Sequence, residues 1–168
     1  MGSVAAPMHQ AYDWVADNGV PALTDEPYLC LDSSASKCSG MTCANKSAGL
    51  AIAKGDVTTH TDVEQTELAL EAAVAQQPVS VAIEADQPVF QHYTSGILTN
   101  DACGENLDHG VLAVGYGVDN GQKCWKVKNS WGTTFGEDGY IRIEKGSAQD
   151  GGECGIRKGA VFPTIKKS

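Results

Sequence analysis

The spacing of apolar residues predicts two helices in the first half of the chain. Residues 7–17 carry an apolar stripe at intervals of three and four, and Gly19 follows as a typical helix end. Thr61 and Glu64 have the spacing of a capping box, which predicts a second helix over residues 62–76. The stripes are Met8, Ala11, Tyr12 and Val15 in the first helix, and Leu68, Ala72 and Ala75 in the second.

After Pro78 the pattern becomes typical of strands. Residues 79–84 alternate between apolar and polar, and the mostly apolar run 110–117 predicts a buried strand. The turn sequence Val118-Asp119-Asn120-Gly121 predicts a hairpin. The remaining predictions are a loop-rich stretch over 19–60, one helical turn within 87–93, a return strand over 123–129, a loop over 132–139 and a strand over 140–144.

Composition and charge exclude several classes of protein. The chain has 168 residues, a net charge of −9 and a pI near 4.7. Binding to nucleic acid requires clustered Lys and Arg, so nucleic acid is not an expected partner. The sequence has no apolar run near the length that a transmembrane helix needs, and no transmembrane segment is predicted.

The six cysteines leave two interpretations open. Cys38 and Cys43 lack the paired C-x2-C spacing of a zinc site, and no histidine follows at ligand spacing, so neither a metal nor another cofactor is predicted. A disulfide framework formed in an oxidising compartment is the preferred interpretation. The alternative is six reduced cysteines in a cytosolic protein. Cys124 lies in the middle of a predicted strand and is expected to be a small buried side chain.

The predicted hairpin brings two residues of chemical interest together. His109 and Asn129 each lie about ten residues from its turn, so an antiparallel ribbon places them side by side at its open end. The Asn129 amide oxygen can accept the imidazole N–H, which leaves the other ring nitrogen free to act as a base. Trp131 is close enough to cover this hydrogen bond. His9, His60 and His92 have no such neighbours in the sequence and are interpreted as surface residues.

The segments around this pair resemble papain-like cysteine peptidases of the cathepsin L-like type. The matching motifs recur in order over nearly the whole chain. They are Leu107-Asp108-His109-Gly110-Val111, Val114-Gly115-Tyr116-Gly117, Lys128-Asn129-Ser130-Trp131-Gly132, Gly136-Glu137-x-Gly139-Tyr140 and Gln77-Pro78-Val79-Ser80-Val81, followed by Cys154-Gly155 and Phe162-Pro163.

The resemblance implies an α+β fold of the papain type. Residues 76–168 would form the antiparallel β-barrel lobe, called the right lobe, which carries His109 and Asn129. Residues 1–75 would be a remnant of the helical left lobe with a cysteine-containing loop.

The resemblance also implies roles for individual residues. His109 would be the general base, Asn129 would orient it, and Trp131 would shield their hydrogen bond. Asp108 would modulate the electric field at His109 from the edge of the cleft. The substrate-binding pocket for a hydrophobic side chain would be lined by Ala82, Leu107, Gly110 and Gly159, and Cys103 would form a disulfide with Cys154.

The family's nucleophile segment, Gln…Cys-Gly-Ser-Cys-Trp, is not found in these 168 residues. Since loss of a nucleophile removes nearly all of the rate enhancement of a triad, the chain alone is predicted to have no peptidase activity. In the family the nucleophile stands at the start of a long central helix, which packs between the lobes. Without that helix, apolar surface on the barrel would be exposed, and a protein partner is expected to cover it.

Two functions remain open from the sequence. The chain is either the His/Asn-bearing part of a cysteine endopeptidase that acts on polypeptides, or a truncated, non-catalytic lobe kept as a structural or binding subunit of a complex. Phe135, where the family usually has Trp, and Ala5-Ala6, where it usually has Gly-Gly, favour the second function. Cys30 loses its usual upstream partner, and its pairing with Cys38, with Cys43 or with another chain stays open. The disulfide interpretation favours a secretory, lysosomal or vacuolar route.

Overall fold

We describe the fold from a computed structural model, which describes residues 8–22, 24, 50–99 and 103–166. Contacts divide the chain into two units. Of the described residues, one unit contains Met8 and those between 61 and 162, and the other contains those between 9 and 60 together with residues 163–166. The domain boundary predicted at residue 75 rests on the family resemblance and stays a prediction.

The first helix has nearly the predicted bounds, whereas the second begins later than predicted. Helix α1 spans Met8–Asn18, and α2 spans Glu67–Val74. Thr66, not Thr61, caps α2, because its side chain accepts a hydrogen bond from Ala69 N at 3.2 Å. The predicted start at 62 was wrong because the preceding residues, rich in β-branched side chains, form a strand instead.

The apolar face predicted for α2 was also wrong. Leu68 is 79% exposed, whereas Leu70, Ala73 and Val74 are buried. Both sets have helical spacing, so the sequence pattern alone could not distinguish them. Packing against the sheet decides which set is buried. A short helix, α3, spans Pro88–Gln91, and a 3-10 turn spans Glu153–Gly155.

Within the part of the chain that the structure describes, nine strands form a seven-stranded sheet with the order β3-β9-β4-β6-β7-β8-β5 and a two-stranded sheet of β1 and β2. Strand β4 pairs antiparallel with β6 and β9, and β7 pairs antiparallel with β6 and β8, whereas β5 and β8 are parallel. The bounds are Val20–Pro21 for β1, Leu50–Ile52 for β2, Val57–Asp62 for β3, Val79–Ile83 for β4, Ile97–Leu98 for β5, His109–Asp119 for β6, Gln122–Lys128 for β7, Tyr140–Glu144 for β8 and Gly159–Ile165 for β9.

Most of these strands follow the predicted pattern, but β6, which was predicted to be buried, buries only Val111 and Ala113 because its second half extends into the exposed hairpin. The hairpin turn at Asn120-Gly121 has positive φ at both residues, 50° and 83°, as a tight two-residue turn requires. Strand β8 has the predicted bounds, and β4 shows the predicted alternation of buried and half-buried residues. The short strands β1, β2 and β5, together with β3 and β9, were not predicted.

The hydrophobic core lies in the unit that contains the hairpin. Alternate residues of β4, β7 and β8 point inward, and α2 covers them through Leu70 and Val74. This α+β arrangement, with a large and mostly antiparallel sheet, agrees with the predicted fold class. Within the described residues, no helix has the length and apolar character needed to cross a membrane.

Candidate active site

His109 and Asn129 meet at the open end of the β6–β7 hairpin. His109 begins β6, and Asn129 directly follows the last residue of β7. His109 Nε2 lies 2.9 Å from Asn129 Oδ1. Asn129 is buried and His109 is half-buried, so this hydrogen bond is partly protected from water.

A second hydrogen bond identifies which atom of the Asn129 side-chain amide faces His109. The backbone N–H of Ser130 donates to Asn129 Oδ1 at 2.8 Å. Because an N–H donor requires an acceptor, this atom of the amide must be the oxygen. His109 Nε2 therefore carries the proton that it donates to the same oxygen. The lone pair of His109 lies on Nδ1, which is left available for acid–base chemistry.

An aromatic cluster holds the imidazole from the side. The rings of Trp131 and His109 have centroids 5.1 Å apart. Phe90 and Phe135 contact Trp131 in edge-to-face geometry, at 5.5 and 5.2 Å. Phe90 is fully buried, whereas Trp131 is 42% exposed. The contact of Phe90 with the site depends on tertiary structure that no local sequence pattern indicates.

Asp108 fixes the backbone that leads into His109. Its N–H donates to Ile83 O at 3.0 Å, and its Oδ1 accepts from Ala85 N at 2.8 Å. Both bonds run to the end of β4, so Asp108 ties the start of β6 to the neighbouring strand. This contact positions His109 independently of any effect of the Asp108 charge.

Three of the four residues expected to bind substrate lie on adjacent strands, and the fourth, Leu107, lies just before β6. Ala82 pairs with Gly110 on one side and with Gly159 on the other. A Cβ at Gly159 would lie 3.0 Å from the Ala82 Cβ and 3.5 Å from Leu107 Cδ1. Gly159 therefore packs closely against Ala82 and Leu107, and the Leu107 side chain is 38% exposed.

A shallow pocket of about 450 Å³ lies beside Asn129. Its lining includes Met8 and residues of β4, β6 and β7. The Asn129 amide nitrogen is buried and has no hydrogen-bond partner within the described part of the chain. The lining is mostly apolar and consists of Met8, Ser80, Gly110, Val111, Leu112, Lys128, Asn129 and Ser130.

An ion-pair network holds the loop that follows Trp131. Arg142 on β8 lies 2.7 Å from Glu137 Oε1 and 2.6 Å from Asp119 Oδ2. Glu137 also accepts a hydrogen bond from Gly96 N at 3.0 Å. Hydrogen bonding from the Arg142 guanidinium holds the pKa of the Glu137 carboxyl below its usual range. The network thereby joins the hairpin tip, the loop and the residue that precedes β5.

The cysteines divide into three groups. Cys103 and Cys154 form a disulfide beside the buried Glu153. Because the two sulfurs are bonded to each other, this cluster offers no thiolate to a metal ion. Cys124 is a buried thiol whose pKa is raised by burial, so it is not a reactive thiolate. The open question of the pairing of Cys30, Cys38 and Cys43 falls outside the described residues.

Comparison with known proteins identifies the class that this fold and site define. The family model of papain family cysteine proteases matches residues 1–164, so the chain belongs to the papain family. Oryzain beta chain of Oryza sativa subsp. japonica is 43% identical over 159 residues, which is 94% of this chain and 32% of that protein. Cysteine protease 1 of the same plant is 45% identical over 165 residues, covering 95% of this chain and 31% of that protein.

Solved structures show the same fold. The bromelain protease from Ananas comosus, in complex with the E64 inhibitor, has a TM-score of 0.77 and 34% identity, covering 94% of this chain and 69% of that chain. Digestive procathepsin L 3 of Tenebrio molitor has a TM-score of 0.78 and 34% identity, covering 94% of this chain and 48% of that chain. The chain spans about a third of the length of the curated relatives named above.

Proposed function

We propose that this chain supplies the base and its orienting amide for peptide-bond hydrolysis by a Cys-His-Asn mechanism. The observation that carries the proposal is the oriented pair, in which His109 Nε2 donates to Asn129 Oδ1 at 2.9 Å and Nδ1 is left free. The nucleophilic cysteine and the oxyanion glutamine would come from polypeptide outside these 168 residues. The substrate class is polypeptide, as the family membership suggests.

The proposed reaction uses His109 twice. Its Nδ1 takes the thiol proton, and the thiolate attacks the scissile carbonyl carbon. The imidazolium then protonates the leaving amine as the C–N bond breaks, which leaves a thioester. A water molecule gives a proton to Nδ1 as it attacks the thioester, and the acid product and the thiol are released. The hydrogen bond to Asn129 would keep the neutral His109 imidazole in one tautomer. Trp131 would limit the access of water to this hydrogen bond.

Substrate binding is proposed at the small residues beside Leu107. Ala82, Gly110 and Gly159 are small residues that pair with one another across the sheet, and the exposed Leu107 side chain offers an apolar contact. These features support a preference for a hydrophobic side chain at the second residue of the substrate. Asp108 would act on His109 mainly through its two hydrogen bonds to β4.

The chain alone is proposed to be inactive and to work with further polypeptide that covers the site. Trp131 is 42% exposed, and the mostly apolar pocket beside Asn129 contains a buried amide nitrogen without a partner. A polypeptide segment that covers this surface and offers a carbonyl oxygen would satisfy that donor. The same exposed surface would also suit the alternative function, a non-catalytic subunit held in a complex. The disulfide supports a secretory or vacuolar route, since such bonds persist in oxidising compartments.

A complementation experiment distinguishes the two functions. The chain is co-expressed with the part of Oryzain beta chain that precedes the matched region, and the purified complex is assayed with a fluorogenic peptide. We expect thiol-dependent hydrolysis by the complex and none by the chain alone. His109→Ala should lower kcat by about 10³-fold or more, because members of such a unit act together. His92→Ala is the matched control, since His92 is an exposed histidine at the end of α3.

The opposite results would decide against catalysis. A stable complex without hydrolysis would favour the non-catalytic subunit. Hydrolysis that His109→Ala leaves unchanged would show that the activity does not use this imidazole. Hydrolysis by the chain alone would contradict the proposal that the nucleophile comes from elsewhere.

A further inference from the structure

Two imidazoles and a carboxylate lie together in the unit that contains residues 9–60. The ring centroids of His9 and His60 are 5.7 Å apart, with the ring planes inclined by 32°. His60 Nδ1 lies 3.0 Å from Asp13 Oδ1. The sequence offered no partner for either histidine, because they are far apart along the chain and only the fold brings them together.

These side chains come from two elements, the helix α1 and the strand β3. His9 and Asp13 are four residues apart on α1 and therefore share one helix face. His60 lies on β3. The N–H of Gly55, in the turn before β3, donates to Ala16 O on α1 at 3.0 Å. The helix and the strand are thus joined by a hydrogen bond close to the cluster.

The hydrogen bond to Asp13 determines which nitrogen of His60 can bind a ligand. A carboxylate only accepts, so His60 Nδ1 carries the proton and Nε2 carries the lone pair. Metal-binding histidines commonly donate their other ring N–H to a carboxylate in this way, which fixes the tautomer and raises the basicity of the ligand nitrogen. Asp13 therefore prepares His60 as a ligand without having to contact the ion itself.

The separation of the two rings matches what one ion would require. A tetrahedral ion about 2.1 Å from one nitrogen of each ring would hold the ring centroids roughly 5 Å apart. The observed 5.7 Å differs from this value by less than an ångström, which a small side-chain rotation can supply. Imidazole nitrogen selects zinc, copper or nickel over magnesium and calcium, which prefer oxygen.

We propose that His9 and His60 bind a divalent transition-metal ion of the zinc class, with Asp13 as the carboxylate that orients His60. His9 is exposed and the His60 side chain is 25% exposed, so an ion can enter from solvent and keep water at its remaining positions. The site does not depend on the proposed peptidase activity. Its occupancy would tie α1 to β3 and stabilise this unit.

The test uses the full chain with its free thiols blocked by iodoacetamide and its disulfides intact. Zinc chloride is titrated by calorimetry, and the imidazole nitrogens are followed in ¹H–¹⁵N spectra. The chain has four histidines, so single His→Gln variants assign every ring. We expect one equivalent of Zn²⁺ to shift the ring signals of His9 and His60 first. His60→Gln should raise the Kd by at least tenfold, because losing even an outer carboxylate costs about 10–100-fold.

Three further variants complete the design. Asp13→Asn should raise the Kd by about tenfold through loss of the orienting carboxylate. Asp13→His should lower the Kd for Ni²⁺, because it places a second imidazole four residues from His9. His92→Gln is the control and should leave the Kd unchanged. All changes are at surface or half-buried positions, and circular dichroism verifies the fold.

The proposal is overturned if Zn²⁺ gives no heat and no shift, or if the signals of His92 or His109 move first. It is equally overturned if His60→Gln binds Zn²⁺ as tightly as the parent chain.

Discussion

Replacing Phe90 by alanine tests whether the buried ring beneath Trp131 stabilises the candidate site. Phe90 is fully buried and contacts three rings, those of Trp131, Phe135 and His109, at 5.5, 5.7 and 6.5 Å. Truncation of a buried phenylalanine to alanine costs about 3–5 kcal/mol of unfolding free energy. Edge-to-face pairs add roughly 0.5–1.5 kcal/mol each. We therefore expect the loss of unfolding free energy for Phe90→Ala to lie toward the upper end of the range for a buried phenylalanine.

The assay is urea denaturation followed by tryptophan fluorescence, together with near-ultraviolet circular dichroism. With an m-value of about 2 kcal/mol/M, a loss of 4 kcal/mol lowers the midpoint by about 2 M. The near-ultraviolet signal of the remaining aromatic residues should also weaken, because Trp131 loses its packing partner. Val89→Ala is the matched control, since Val89 lies in the same short helix and is 45% exposed. Its effect should stay within about 0.5 kcal/mol.

A loss below about 1 kcal/mol for Phe90→Ala would refute the reasoning, because it would mean that the ring contributes no more than a surface residue. An equal loss for Val89→Ala would refute it too, since the effect would then come from α3 itself. Unchanged aromatic dichroism would show that Trp131 does not depend on Phe90.

Two further predictions concern contacts around the sheet. Arg142→Met should remove the cause that lowers the pKa of Glu137, while Lys123→Met, which removes an exposed charge, should not. The pKa of Glu137 is lower in the folded chain than in the unfolded chain, so its carboxylate stabilises the fold above the unfolded pKa and loses that effect as the pH falls. Unfolding free energy measured against pH should show this loss in the parent chain but not in Arg142→Met. Cys103→Ser opens a disulfide that spans 51 residues to Cys154, and should cost about 4 kcal/mol in thermal or urea unfolding. An acid dependence of stability that is the same in Arg142→Met as in the parent chain would contradict the first prediction. A loss of less than about 1 kcal/mol for Cys103→Ser would contradict the second.

The sequence predicted best where one local pattern had one interpretation. The hairpin turn and the strand over residues 140–144 follow from turn chemistry and alternation, and the structure has both. The sequence predicted the structure worst where two interpretations of the same pattern had equal support. In α2, Leu68 and Leu70 both belong to helical stripes, and only contact with the sheet selects Leu70. The start of α2 was placed at residue 62 because a local capping pattern at Thr61 cannot reveal that residues 57–62 pair with a distant strand.

The sequence by itself determined the family, the hairpin and the expectation that His109 and Asn129 lie close together. These depend on motif order and on counting residues from one turn, so no distant contact is needed. Only the tertiary structure gave the 2.9 Å distance between His109 Nε2 and Asn129 Oδ1, and the hydrogen bond from the Ser130 N–H agrees with the expected role of the amide oxygen as acceptor. The tertiary structure alone brought Phe90 against Trp131 and His9 against His60. Contacts between residues far apart in sequence depend on how the elements pack, and no local pattern encodes that packing.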